Sequence, residues 1–185
     1  MKKLKTILCI FAIIAVASTA VAQETKMVGG AEMYPSKDIV SNAVNSKDHT
    51  TLVAAVKAAG LVETLQGSGP FTVFAPTNRA FEKLPMGTVE ELLKPENKSK
   101  LAAILTYHVV PGKYSAADIK SAIKKGGGSA EFTTAQGEKL WAVMAGDAIM
   151  IKNLEGTMAT ITIADVNQSN GVIHVIDTVV QPLSL

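Results

Sequence analysis

The sequence predicts an α+β domain in which short helices pack against one end or face of a strongly twisted sheet. Up to residue 125, apolar side chains mostly recur at the three- and four-residue spacing of helices. After a glycine-rich tether at residues 126–129, they alternate with polar residues as strands require. One apolar strand, at residues 71–76, lies among the helices. Helices that precede most of the strands are typical of an α+β domain rather than of alternating βαβ units.

Residues 1–22 have the features of a signal peptide. Three lysines within the first five residues precede an apolar run at residues 7–16, and Ala20-Val21-Ala22 supplies the small residues before a cut at Gln23. The run is shorter than the roughly 20 residues of a spanning helix, so we expect export and no membrane span after cleavage. The segment contains the only cysteine. The remaining chain is disulfide-free and close to neutral, and we expect no nucleic-acid partner.

The rest of the chain divides into a leader and one domain. Residues 23–35 are mostly polar and contain glycine, and we expect a flexible leader whose removal leaves stability unchanged. The folded domain is predicted to occupy residues 36–183. Ser36 or Asp38 can cap its first helix, and a second helix begins near Asp48. His49 lies in the first turn of that second helix, where we expect it to be solvated.

The strand at residues 71–76 is predicted to be buried on both faces, because nearly all its side chains are apolar. Pro76 ends this strand, since proline cannot donate to a sheet ladder. Thr77 or Asn78 can then cap a helix that buries Ala80 and Phe81. A buried strand that leads directly into a capped helix indicates the centre of the core.

A later helix is predicted to turn a histidine inward. Leu101, Ile104, Leu105 and His108 follow helical spacing, so we interpret His108 as a structural residue bonded to the backbone. Ser115 and Asp118 have the spacing of a capping box for the next helix.

The segment after the tether is predicted to form strands, beginning with a hairpin at residues 131–144. These strands carry Trp141, Met144, Met150 and Met158. We interpret the four side chains as core filling. The alternative is an adaptable apolar surface for a small molecule, because methionine fits irregular apolar shapes.

Catalysis is not expected. The chain after residue 22 has no cysteine and no Gly-x-Ser-x-Gly elbow. His108, His174 and Asp177 are the remaining candidates, but His174 and Asp177 point to opposite faces of a strand because their separation is odd. Neither a His-x-x-x-His nor a Cys-x-x-Cys pair occurs, so we expect neither a metal nor a cofactor.

Three blocks in order resemble the fasciclin-type domain, also called the fasciclin/beta-Ig-H3 family, which bacteria export as single secreted copies. They are Gly69-Pro70-Phe71-Thr72-Val73-Phe74-Ala75-Pro76-Thr77-Asn78, Leu105-Thr106-Tyr107-His108-Val109-Val110-Pro111-Gly112 and Asn170-Gly171-Val172-Ile173-His174-Val175-Ile176-Asp177. The resemblance covers residues 36–182. It implies a wedge-like, twisted β-sandwich with a layer of short helices.

The resemblance also implies a function. Such domains mediate cell adhesion and extracellular-matrix contact and are not known as enzymes. Tyr107-His108 matches a pair associated with binding in animal matrix members, and Asp165-Val166 matches a second pair with valine in place of isoleucine. We therefore expect a secreted or periplasmic monomer that binds an unknown cell-surface or matrix protein or glycan. The alternative is a cell-envelope protein that binds a lipid or pigment.

Overall fold

The structure is a computed structural model that describes residues 25–184, so the predicted signal peptide lies outside the described residues. None of the helices in this part of the chain has the length and apolar character needed to cross a membrane.

Residues 25–184 form seven α-helices and nine strands. The strands are β1 Lys26–Val28, β2 Ala31–Met33, β3 Phe71–Pro76, β4 Val109–Pro111, β5 Ser129–Thr133, β6 Lys139–Ala145, β7 Ala148–Lys152, β8 Met158–Gln168 and β9 Gly171–Ile176. The helices are α1 Ile39–Ala43, α2 Thr50–Ala59, α3 Val62–Gln66, α4 Asn78–Glu82, α5 Thr88–Leu92, α6 Lys98–Tyr107 and α7 Ala116–Lys125, with 3-10 turns at Lys47–His49 and Pro95–Asn97.

Seven strands form one mixed sheet in the order β4-β3-β9-β8-β7-β6-β5. β3 and β9 are parallel, and the other neighbouring strands are antiparallel. The two ends of the sheet approach each other, because the Ala135 N–H beyond β5 donates to the Val109 carbonyl of β4 at 2.7 Å. The sheet is thus a nearly closed wedge, which confirms the predicted α+β class.

The core has two parts, one on each side of β3. Val73 and Ala75 pack with helices α1 to α6, whereas Phe74 packs with α7 and the inner face of β5 to β8. Phe74 is only 1% exposed. The prediction that both faces of this strand are buried is confirmed.

The helix boundaries follow local signals in the sequence. The Thr77 hydroxyl accepts from the Ala80 N–H at 3.3 Å and caps α4. Ser115 and Asp118 form the predicted capping box at the start of α7. α2 ends at Gly60, whose φ of 72° lies in the left-handed region that favours glycine.

The structure corrects the prediction of a flexible leader, because residues 26–33 form a hairpin. β1 and β2 pair in antiparallel fashion around Gly29-Gly30, and Val28 and Met33 insert into the helical side of the core. The Lys26 ammonium donates to the Ala164 carbonyl at 2.7 Å, and the Gly29 carbonyl accepts from the Lys47 N–H. The prediction failed because strands of three residues are too short to show alternation.

The core-filling interpretation of the late apolar residues is also corrected. Met144 and Met158 are 38% and 48% exposed, and Trp141 and Met150 are half-buried. Trp141 pairs with Lys152 across β6 and β7, on the outer face of the sheet. The inner positions that alternate with these residues are occupied by Leu140, Ala142, Ile149 and Ile151.

Candidate functional site

Tyr107, the first predicted binding residue, ends α6 inside the wedge. Its side chain is 0% exposed, and its hydroxyl donates to the Lys139 carbonyl of β6 at 2.7 Å. Burial raises the pKa of Tyr107 to about 12, with smaller contributions from the charges of Glu138 and Glu155. Tyr107 therefore joins α6 to the sheet and does not contact solvent.

His108 is buried in the neutral form. The Val180 N–H donates to its Nε2 at 3.3 Å, so its Nδ1–H donates to the Ile104 carbonyl at 2.8 Å. Burial lowers the pKa of His108 to about 4, and the Ile104 carbonyl only partly opposes this effect. The prediction that His108 points inward is confirmed.

Asp165 lies at an irregularity in β8, with a φ of 57° that is uncommon for a residue other than glycine. Its Oδ1 accepts from the Ala116 N–H at 2.7 Å, at the first residue of α7. The next residue, Val166, is 1% exposed in the core. Asp165 thus connects β8 to the start of α7.

These four residues do not assemble into one exposed surface. Tyr107, His108 and Val166 are buried, and the half-buried Asp165 uses one carboxylate oxygen to hold α7. Their association with binding, which the resemblance implies, stays a prediction.

His174, on β9, is a second buried side chain that links separate segments of the backbone. Its Nδ1 accepts from the Asp165 N–H at 3.3 Å, and its Nε2 donates to the Tyr114 carbonyl at 2.8 Å. Its ring stacks on Phe74 with 5.8 Å between centroids. Burial lowers the pKa of His174 and outweighs the opposite effects of the Tyr114 carbonyl and the Asp165 charge.

His49 is also buried, which corrects the expectation that it is solvated. It is 3% exposed, and the hydroxyl of Ser46 lies 2.8 Å from its Nδ1. Burial lowers the pKa of His49, although the nearby Ala75 carbonyl and the Asp48 charge act in the opposite direction. Its Nε2 has no partner with hydrogen-bond geometry in residues 25–184. The 3-10 turn and the hairpin that the sequence did not reveal account for this burial.

The candidate catalytic residues engage separate partners. His108 and His174 bond to backbone groups, and the Asp177 Oδ1 accepts from the Thr160 N–H at 2.8 Å. Across the described residues, no three His, Cys, Asp or Glu side chains form a group that could hold a metal ion.

The structure contains a polar cleft that the sequence analysis did not predict. It has a volume of about 460 Å³ and lies between the 3-10 turn at Lys47–His49 and α4. Its lining residues are Asp48, Thr77, Asn78, Arg79, Lys83, Thr162 and Asp177. The one sequence feature that could have pointed to this cleft is Arg79, because it is the only arginine in the chain.

An apolar cavity of about 50 Å³ lies where α1, α2 and α3 face β3. Ile39, Leu52, Val56, Leu65 and Val73 are among its lining residues. Its volume is enough for one or two water-sized molecules only.

These features define a class of protein: a nearly closed sheet wedge with a helical layer, whose three histidines are buried within the fold. The chain belongs to the fasciclin domain family, because the Fasciclin domain model matches residues 47–182.

Relatives and a solved structure agree with this assignment. Protein sll1483 of Synechocystis sp. (strain ATCC 27184 / PCC 6803 / Kazusa) is 48% identical over 173 residues, which cover 91% of this chain and 87% of that protein. Transforming growth factor-beta-induced protein ig-h3 of Sus scrofa is 40% identical over 131 residues, covering 71% of this chain and 17% of that protein. A FAS1 domain pair from the insect cell adhesion molecule fasciclin I superposes with a TM-score of 0.69 at 18% identity, covering 80% of this chain and 51% of that one.

Proposed function

We propose that this protein is an exported, non-enzymatic fasciclin module that mediates adhesion or protein interaction at the cell surface or in the extracellular matrix. The observation that carries this proposal is the burial of all three histidines, which are 3%, 2% and 0% exposed. General acid–base catalysis most often uses a histidine that can reach the substrate. Burial therefore favours a module that works through surface contacts, as does its membership of the fasciclin family.

The experiment is a cell-attachment assay. The exported protein, purified from the medium or periplasm of an expressing host, is coated on a surface and compared with albumin. We expect saturable attachment of cells from the native organism, and we expect soluble protein to compete for it. Attachment no greater than to albumin, with protein that shows its native thermal transition, would contradict the proposal.

Catalysis is tested in parallel with a pooled panel of hydrolase substrates. We expect no turnover above buffer. Activity that follows the protein through purification and is lost in a folded His108→Ala variant would overturn the non-enzymatic assignment.

Export is tested by the amino terminus of the released protein. We expect mass spectrometry of the exported form to show a chain that begins at Gln23, after the small residues at positions 20–22. Replacing Ala22 with a bulky residue such as Trp should block processing, whereas Ala22→Ser should preserve it. A full-length chain in the cytoplasm would contradict this expectation.

A second candidate function is the binding of a lipid or pigment in the apolar cavity beneath α1. At about 50 Å³ the cavity is far smaller than the roughly 300–1,000 Å³ of small-molecule sites, so such a ligand would have to displace α1. Organic extraction of the native protein distinguishes the two functions. A stoichiometric chromophore or lipid would support this candidate, and an empty extract favours adhesion.

A further inference from the structure

We infer that the cleft between the 3-10 turn at Lys47–His49 and α4 binds a carboxylate side chain of a partner protein, with Arg79 as its direct partner. Asp48, on the same cleft, would receive a basic side chain next to that carboxylate. This inference rests on the proposed function and assigns it a site.

The choice of arginine is the first argument. The chain has 18 basic residues, and Arg79 is the only one that is not lysine. Lysine supplies surface charge equally well, but the planar guanidinium also matches the two oxygens of a carboxylate. Arg79 is therefore the one basic side chain of the protein whose shape matches both oxygens of a carboxylate.

The availability of Arg79 is the second argument. Its side chain is exposed and makes neither an ion pair nor a hydrogen bond with any residue in the range 25–184. Asp48 is likewise exposed, and its carboxylate accepts no hydrogen bond from the described chain. By contrast, Lys83 and Asp177 lie 3.6 Å apart and largely neutralise each other. Arg79 and Asp48 are therefore the two charges that remain for a ligand.

The frame around Arg79 is fixed. The neighbouring Asn78 side chain accepts from the Thr51 N–H at 3.0 Å and donates to the Lys47 carbonyl at 2.9 Å. On its other side, the Thr77 N–H donates to the Ile176 carbonyl of β9. These bonds hold α4 against both the 3-10 turn and the sheet. The backbone that carries Arg79 is therefore held in place before a partner binds, which lowers the entropic cost of binding.

The layout of charges identifies the partner chemistry. A polyanion such as an acidic glycan would place further negative charges near the unpaired Asp48 carboxylate, which is unfavourable. A protein segment with an acidic residue next to a basic one complements both Arg79 and Asp48. The cleft volume of about 460 Å³ accommodates a few side chains.

Nuclear magnetic resonance of the exported protein tests this inference. Because Arg79 is the only arginine, its Nε–H gives a single side-chain signal. The probe is the blocked tetrapeptide Gly-Asp-Lys-Gly, and the reference peptide is Gly-Lys-Lys-Gly. We expect the Arg79 signal to shift saturably with the first peptide and to stay in place with the second.

Variants give the matched control. We expect Arg79→Gln to weaken binding of Gly-Asp-Lys-Gly by about tenfold or more, as for loss of a charge-assisted hydrogen bond. Lys120→Gln removes the same charge from an exposed position on α7 and should leave affinity within about twofold. Asp48→Lys should reverse the preference, so that Gly-Asp-Asp-Gly binds better than Gly-Asp-Lys-Gly.

The outcomes separate this inference from the proposed function. Equal losses in Arg79→Gln and Lys120→Gln, or equal shifts with both peptides, would overturn the Arg79 site. If cells attach to wild type and Arg79→Gln alike, adhesion stands and the site assignment is wrong. If the peptide binds at Arg79 but cells do not attach, the site stands and adhesion is wrong.

Discussion

His108 shows how one buried imidazole links stability to pH. It accepts from the Val180 N–H and donates to the Ile104 carbonyl, so it joins α6 to the chain beyond β9 as a neutral ring. Protonation would remove the acceptor and place a charge in the core. Its pKa therefore lies at about 4 in the folded chain, compared with 6.5 for a histidine that is fully solvated.

We expect the free energy of unfolding to fall as the pH is lowered from 7 to 5. The folded pKa of His108 is below the unfolded value, so the unfolded chain binds the proton first. The contribution of His108 is complete at neutral pH and is lost as the pH falls from 6.5 to about 4. The loss from His108 alone is about 2 kcal/mol at pH 5, and His49 and His174 act in the same direction.

Urea denaturation at several pH values measures this loss. His108→Gln should reduce the slope of unfolding free energy against pH between 7 and 5, whatever its effect on absolute stability. An unchanged slope would mean that His108 binds as many protons in the folded chain as in the unfolded chain, and so that burial does not lower its pKa.

Phe74 tests the core beneath the sheet. It is 1% exposed and stacks on His174. We expect Phe74→Ala to lower the free energy of unfolding by about 3–5 kcal/mol, as for other buried aromatic side chains. Met86→Ala is the control, because Met86 is fully exposed and should change stability by less than about 0.5 kcal/mol. Equal denaturation midpoints for the two variants would contradict the assignment of Phe74 to the core.

Asp165 combines a left-handed backbone with a helix contact. We expect Asp165→Ala to cost about 1–2 kcal/mol, since it removes the acceptor for the Ala116 N–H and alanine disfavours positive φ. Asp165→Asn keeps an oxygen acceptor and tolerates this backbone, so its thermal midpoint should stay close to wild type. If Asn destabilises as much as Ala, the negative charge matters more than the hydrogen bond.

At the level of elements, the β1–β2 hairpin is part of the fold. It buries Val28 and Met33, and its turn accepts a hydrogen bond from the residue that begins the 3-10 turn at Lys47–His49. The hairpin also precedes the start of the family match at residue 47. It thus extends the domain on its amino-terminal side.

We expect deletion of residues 23–34 to lower the thermal midpoint by about 5–10 °C, which replaces the expectation of no change. Each buried apolar side chain contributes about 1.5–3 kcal/mol before the entropy of ordering the hairpin is subtracted. Val28→Ala should reproduce part of the drop, whereas Met27→Ala, at a position 59% exposed, should not. An unchanged midpoint after deletion would mean that the hairpin does not stabilise the domain.

Strong local patterns account for what the sequence predicted among the elements. The buried β3, the Thr77 cap, the Ser115 box and the inward His108 each follow from residues a few positions apart. His49 and the Arg79 cleft depend on segments that are distant along the chain. For example, burial of His49 requires the hairpin and β3 to pack over the 3-10 turn. The periodicity of a short segment does not reveal contacts between segments that are distant along the chain.

At the scale of the whole molecule, the three blocks that carried the family resemblance serve the fold. They contribute β3, the end of α6 with β4, and β9, and these three strands are neighbours in the order β4-β3-β9 at one end of the sheet. The family could therefore be predicted from the sequence, whereas the cleft at Arg79 could not, because its lining residues come from segments that are distant along the chain.

The bond between Ala135 and Val109 has a consequence for how copies of this protein behave at high concentration. The two edge strands of an open sheet have unpaired N–H and C=O groups. Another copy of the protein can pair with these groups, and repeated pairing produces aggregates. Here β4 has three residues and ends at Pro111, and the chain just beyond β5 bonds to it. Copies of this protein should therefore stay separate when crowded, although a chain with a single cysteine cannot form an internal disulfide.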